Sequence, residues 1–300
     1  MRRISCVIAL LCALLVLSSP ATADVPVSYV ALGDSFSSGE GNGPFDSPCH
    51  RAQHDDSAYP LMLPERVGYL AQPLFHACTG ATIADVLRSP QPSRGNQRIQ
   101  LEYVSPATEL VTLTIGGNDL GFSKIVATCL KRRDCTGQDD LVNSVEDGMK
   151  AIKAQLVDAY TRIRERMSPS GMLVVAGYPR LFRGSESRCG FFFSPEETAW
   201  INSLVIRGNR RIAEAVRAAR NRSGNVAYVD VSESFAGHEL CGDDNPYLHK
   251  IKLAFSRGLV KGSYHPNVDG QAAYARAFAT LLRSPAIRTA LTGPSGRVEA

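Results

Sequence analysis

Five short, largely apolar runs recur along the chain, at residues 27–32, 73–77, 110–115, 172–176 and 226–231. Each is bounded by turn residues, and none alternates apolar with polar as a half-exposed strand would. Unbroken runs of this kind suit strands covered on both faces, as in a parallel sheet. Helical patterns fill the intervals. Over 195–220, Ile201, Leu204, Val205, Ile212 and Val216 recur at helical spacing with arginines opposite. A second pattern covers 141–167, and a last helix over 268–282 follows Asn267 as its candidate cap. Strands alternating with helices, joined by right-handed crossovers, predict a doubly wound fold. The expected architecture is a three-layer α/β/α sandwich on a five-stranded parallel, flavodoxin-like sheet.

The first residues, MRRISCVIALLCALLVLSSPATA, read as an export signal. Arg2 and Arg3 form the positive start, residues 4–17 the apolar core, and Ala21-Thr22-Ala23 the cleavage site. That core is shorter than the ~20 residues a membrane span takes. No cysteine sits at the cleavage point to carry a lipid. A signal peptide over 1–23 and release outside the cell, without a transmembrane anchor, are therefore expected. Residues 24–300 contain no Pro/Ser/Gly linker, repeat or low-complexity block, and predict a single domain and a monomer. Cleavage lowers the formal charge from +4 to +2. With no basic run interleaved with aromatics, nucleic acid is not an expected partner.

Two of the eight cysteines, Cys6 and Cys12, leave with the signal, and six remain. An even count in an exported chain predicts three disulfides. Six cysteines allow 15 pairings; the sequential one is preferred, joining Cys49 to Cys78, Cys129 to Cys135 and Cys189 to Cys241. The competing reading is a metal site, but no C-x-x-C occurs and the spacing is irregular. Neither a metal nor a cofactor is expected.

Ligands of open α/β sheets sit beyond the carboxyl ends of the strands. Three loops rich in small and polar residues end at that rim. ALGDSFSSGEGNG places Ser35 just after the first run, Gly80 follows the second, and Gly116-Gly117-Asn118-Asp119 follows the third. Small neighbours leave Ser35 open, as a nucleophile needs, although they also suit a solvent-exposed turn. Acyl transfer through serine further needs a histidine and oxyanion donors. Among six histidines, His265 lies in GSYHPNVDG ahead of the last helix, where its loop can fold back over the rim. The plain alternative is a surface histidine. Asn118 offers a side-chain amide to an oxyanion, and Gly116 and Gly117 permit tight backbone geometry; turns and caps favour the same residues. His50 and His54 have a four-residue spacing that binds metal on a helix, but their segment does not read as helix and lacks a third ligand. His76 falls within the second strand run and is expected to pack; His238 and His249 have no distinguishing neighbours. The chain lacks G-x-S-x-G, G-x-x-x-x-G-K-[ST] and G-x-G-x-x-G, which argues against an α/β-hydrolase elbow, a P-loop and a dinucleotide site.

Taken together, GDSFSSGEG, CTGAT, GGND and SYHPN resemble the successive blocks of the GDSL/SGNH hydrolase family, in particular its secreted actinobacterial lipase and esterase branch. The order and intervals are similar from residue 27 to about residue 282, as are the six cysteines and the GYPRLF segment. The resemblance implies the same sequential disulfides. It implies a carboxylic ester hydrolase acting on lipid or other acyl esters through an acyl-enzyme. Ser35 would attack the carbonyl, and His265 would take its proton and pass it to the leaving alcohol. The oxyanion would be held by the Ser35 and Gly80 backbone N–H groups and the Asn118 amide. Asp34 would be a structural partner in the turn.

One departure bears on the histidine. Much of the wider family has an aspartate three residues before it, where this chain has Gly262. The branch then implies a backbone carbonyl, from Gly262 or Ser263, to accept Nδ1–H and fix the tautomer. A distant acid such as Asp230, Asp243 or Asp244 is the alternative. Leu181, Phe182 and the run Phe191-Phe192-Phe193 are candidates for an acyl groove or, equally, for core. Phospholipase or acyltransferase action at the same site, and a non-catalytic binding protein on the same fold, are the alternative functions.

Overall fold

The computed structural model describes residues 25–46, 48–91, 98–131, 134–184, 189, 192–242, 245–254 and 258–293. The signal segment, Phe191, Asp243 and Asp244 lie outside the described residues. The chain opens with β1 (Tyr29–Gly33), α1 (Ser35–Ser38), a ribbon of β2 (Phe45–Asp46) and β3 (Arg51–Ala52), and α2 (Tyr59–Val67). There follow β4 (Leu74–Phe75), α3 (Ile83–Leu87), β5 (Leu110–Thr114), α4 (Phe122–Lys131), α5 (Asp139–Arg166) and β6 (Met172–Ala176). Then come α6 (Pro195–Ser223), β7 (Val226–Val229), α7 (Ser232–Phe235), a ribbon of β8 (Leu253–Ala254) and β9 (Gly258–Leu259), α8 (Val268–Leu282) and α9 (Pro285–Thr292).

Five strands form one parallel sheet in the order β4-β1-β5-β6-β7. Every residue of β1, β5 and β6 is buried. Their side chains divide by strand alternation between two cores. Tyr29 and Ala31 pack with Tyr59 and Leu63 of α2 and Tyr274 and Phe278 of α8. Val30, Leu32, Val111 and Leu113 pack with Ile83 of α3, Ile152 and Leu156 of α5, and Ile212 and Val216 of α6. The result is a three-layer α/β/α sandwich. Ser194 and Glu197 form a capping box at the start of α6, and Asn267 accepts the Gly270 N–H at the start of α8.

The second strand is shorter than the 73–77 expected. The N–H groups of His76 and Ala77 both turn to the Ala31 carbonyl, at 2.8 and 3.1 Å, so the ladder stops at Phe75. As an edge strand it is not covered on both faces, and Leu74 is 59% exposed. The last strand ends at Val229, because Asp230 Oδ1 accepts the Ser232 N–H at 2.9 Å as α7 begins.

The disulfides join Cys49 to Cys78, Cys129 to Cys135 and Cys189 to Cys241, with Cα separations of 4.6, 4.8 and 5.2 Å, within the range a relaxed bridge spans. The direction of winding reverses between β1 and β5, which opens a crevice outside their carboxyl ends. Ser35 and Gly116-Gly117-Asn118 lie directly past those two ends.

Candidate active site

The turn that carries Ser35 is fixed from below. Gly33 has φ +129°, and a Cβ there would lie 2.6 Å from the Thr114 carbonyl oxygen, so only glycine lets β1 turn so close to β5. Gln100 clamps the same residue, accepting its N–H at 2.7 Å and donating to its carbonyl at 2.9 Å. Asp34 caps α1 by accepting the Phe36 N–H at 3.0 Å, and it also accepts the hydroxyls of Thr114 and Tyr178. Burial pushes its carboxyl up to about 6, against the pull of those three donors. Asp34 therefore holds the turn. Ser35 follows as the first residue of α1, where a backbone N–H has no acceptor within the helix.

The loop before α8 folds back over this turn. His265 Nε2 lies 2.8 Å from Ser35 Oγ, and Nδ1 lies 3.0 Å from the Ser263 carbonyl. The Gly262 carbonyl instead accepts the His265 backbone N–H at 3.1 Å. A carbonyl only accepts, so Nδ1 carries the proton and Nε2 presents its lone pair to Ser35. The His249 N–H donates to the His265 carbonyl at 2.8 Å, the Tyr264 N–H donates to the His249 carbonyl at 2.9 Å, and Asn42 Nδ2 donates to the Pro266 carbonyl at 3.0 Å. Burial lowers the His265 imidazole to about 4, with the Glu40 charge and the Ser263 carbonyl acting in the opposite sense. Asp230 is exposed and occupied at the start of α7.

Gly80 and Asn118 line the same groove as Ser35 and His265. Gly80 has φ +82°. One N–H of the Asn118 amide donates to the Ala81 carbonyl at 2.8 Å, which orients the side chain and leaves its second N–H for a ligand. Asp119 faces elsewhere: its carboxylate accepts the Ile83 N–H at the start of α3, and burial pushes it up to about 6.

Two spaces meet at Ser35. An apolar one runs from Ser35 past Leu120 and Met149 to Leu204, Gly208 and Ile212, between α5 and α6. A more open and more polar one has Glu40, Thr79, Lys131 and Lys261 on its walls. Of the candidate groove residues, Leu181 lines the apolar space. Phe182 and Phe193 pack on each other in the core with ring centroids 5.1 Å apart, and Phe192 is 45% exposed.

The remaining histidines each make their own contacts. His50 stacks on Phe45 and lies 3.3 Å from Glu40, whereas His54 is exposed, so the pair does not form a joint site. His76 follows β4, stacks on Tyr103 and is lowered to about 4 by burial. His238 stacks on Tyr247. His249, which has no mark in the sequence, bonds Asn42 Oδ1 through Nε2 at 2.8 Å and ties the GEGNG loop to the His265 loop. Glu40 also escaped the sequence reading. It is 3% exposed and accepts the Thr79 hydroxyl at 2.8 Å. Its signal was an acid flanked by glycines in a loop otherwise made of small residues.

Residues 31–273 match the family model described as GDSL-like Lipase/Acylhydrolase. A lipase of Streptomyces rimosus is 36% identical over 244 residues, covering 81% of this chain and 82% of the relative. Lipase 1 of Streptomyces coelicolor is 31% identical over 254 residues, with 85% of each covered. The crystal structure of the extracellular lipase from Streptomyces rimosus superposes with a TM-score of 0.68 at 32% identity, covering 85% of this chain and 99% of that one. That of phospholipase A1 from Streptomyces albidoflavus NA297 gives 0.70 at 31% identity, with the same coverage. The chain therefore belongs to the GDSL-like lipase/acylhydrolase family and is a serine ester hydrolase of the lipase and esterase type.

Proposed function

We propose that the enzyme cleaves carboxylic esters of lipids or other acylated compounds outside the cell, with Ser35 as nucleophile and His265 as base. The observation that carries these roles is the 2.8 Å approach of His265 Nε2 to Ser35 Oγ with Nδ1 already held by Ser263. His265 takes the Ser35 proton as Oγ attacks the ester carbonyl. The tetrahedral oxyanion is received by the N–H groups of Ser35 and Gly80 and the free N–H of the Asn118 amide. The imidazolium then gives its proton to the departing alcohol, which leaves the acyl group on Oγ. Water repeats the sequence and releases the acid; an alcohol in its place would give acyl transfer.

The apolar space behind Leu120 suits the acyl chain, and the polar groove suits the alcohol side of the ester. Lys131 and Lys261 on that groove favour a phosphate-bearing leaving group, which, with the likeness to phospholipase A1 from Streptomyces albidoflavus, supports phospholipid as a second reading. No helix among the described residues is long and apolar enough to cross a membrane. The export signal in the sequence and the three disulfides support a secreted enzyme.

Hydrolysis of p-nitrophenyl esters from acetate to palmitate, by wild type and Ser35→Ala, tests the reading. The expected result is activity in the wild type that collapses in the variant. Equal rates in both would move the nucleophile elsewhere. A wild type with all three disulfides intact that hydrolyses none of the esters would favour an unusual ester as substrate or a binding protein on the same fold.

A further inference from the structure

The Ser263 carbonyl orients His265 but brings no full charge to it, so the imidazolium formed during attack lacks the carboxylate that a triad supplies. A carboxylate nonetheless stands on the wall of the same groove. Glu40 lies five residues after Ser35, and its backbone N–H donates to the Ser35 carbonyl at 3.1 Å, so its position is tied to that of the nucleophile. Its side chain is nearly inaccessible to water. It is held by the Thr79 hydroxyl, which also bonds Ser38 Oγ at 2.9 Å, and Thr79 adjoins Gly80. Glu40, Thr79, Gly80, Ser35 and His265 thus wall one cavity. A Cβ on the next residue, Gly41, would lie 2.6 Å from the His249 ring, so the loop packs tightly beneath the His265 segment.

A buried carboxylate is costly to keep without hydrogen bonds or a nearby positive charge, and water screens its field little, so it acts most strongly when a positive charge forms beside it. His50 Nδ1 lies 3.3 Å from Glu40 Oε2 at the part-exposed edge of the site. The geometry points to Glu40 as the electrostatic partner of His265. It is a positioning residue that stabilises the imidazolium across the groove, while Ser263 sets the tautomer. The inference rests on the Ser35–His265 reading above. Of the charges that bear on His265, Glu40 raises its proton affinity and His249 lowers it. The other titratable groups near the groove are His50 beside Glu40, Lys252 close to His249, Tyr264, Lys131 and Lys261. Asp34 and Asp119 sit beneath the turns after β1 and β5, and Tyr178 bonds Asp34.

The test is kcat/KM for p-nitrophenyl butyrate against pH in wild type, Glu40→Gln and Glu40→Asp. Glu40→Gln keeps an acceptor for Thr79 and removes only the charge. It should lower the plateau on the order of tenfold, the scale of a charge–charge interaction at an effective protein dielectric. It should also move the acid limb to lower pH, because the carboxylate that favours protonated His265 is gone. Glu40→Asp should remain near wild type in both respects. If Glu40→Gln does not fold, Asp and Asn at the same position repeat the comparison at constant size. Unchanged plateau and limb in Glu40→Gln, with Ser35→Ala inactive, would overturn this role and leave the nucleophile assignment standing. Equal losses in the Gln and Asp variants with an unmoved limb would also overturn it, leaving Glu40 a structural part of the loop. Failure of Ser35→Ala to abolish activity would instead strike the underlying reading.

Discussion

His265 Nδ1 lies 3.0 Å from the carbonyl oxygen of Ser263, two residues earlier in the same loop, while Nε2 faces Ser35 Oγ at 2.8 Å. A histidine held by its own backbone needs no acid from elsewhere to fix its tautomer. The cost is electrostatic, because a carbonyl dipole stabilises an imidazolium less than a carboxylate does.

Burial lowers His265 from 6.5 to about 4, and the proposed base must be neutral to accept a proton. The acid limb of kcat/KM should therefore fall near pH 4, well below that of an ordinary imidazole, as read from a pH–rate profile with a soluble ester. The same shift affects folding. Between 6.5 and about 4 the unfolded chain takes up a proton that folded His265 refuses, so this residue's contribution to stability falls as pH drops through that window.

Asn118→Ala removes one of three proposed oxyanion donors and should lower kcat by about 10²–10³, with KM changed little. Ser35→Ala should lower it further. Steady-state kinetics on one ester compares the two. A loss of only twofold in Asn118→Ala would remove that amide from the oxyanion site.

Gly208 sits inside the 29-residue α6, where glycine costs ~1 kcal/mol relative to alanine. A Cβ there would meet Leu120 and Met149 at 3.6 and 3.9 Å, ordinary contact distances. Gly208→Ala should fold and melt higher. Gly208→Leu would fill the apolar space and should reduce kcat/KM for decanoate at least tenfold relative to acetate. The acetate rate reports that the variant is folded, and an unchanged ratio would send the acyl chain elsewhere.

The Cys49–Cys78 bridge ends two residues before Gly80, and the Thr79 N–H donates to the Cys49 carbonyl at 3.0 Å. Replacing both cysteines with serine should cost about 2–5 kcal/mol of stability, and should lower activity even at temperatures where the variant stays folded. Thermal melts paired with kinetics well below the melting temperature separate the two effects.

Strands buried on both faces announce themselves by unbroken apolar runs, so β5 and β6 lie within a residue of their expected limits. Helix starts were readable where a cap marks them, as with Asn267 before α8. The edge strand β4 is shorter than its apolar run, because periodicity cannot show that two N–H groups turn to the single carbonyl of Ala31. At the site, Ser35, Gly80, Asn118 and His265 sit in short blocks at loops whose positions follow from the sheet, and the structure brings all four to one groove. Glu40 and His249 were not legible in this way. Their contacts with Thr79 and Asn42 cross between loops, and no local spacing records them.

The most direct test of the central claim is covalent capture by an organophosphonate ester, read by intact mass and peptide mapping. Wild type should take up one phosphonyl group per chain, on the peptide carrying Ser35, with loss of esterase activity in proportion. Ser35→Ala should take up none, and His265→Ala should react far more slowly. Stoichiometric labelling at another serine, or equal labelling of Ser35→Ala, would contradict the account.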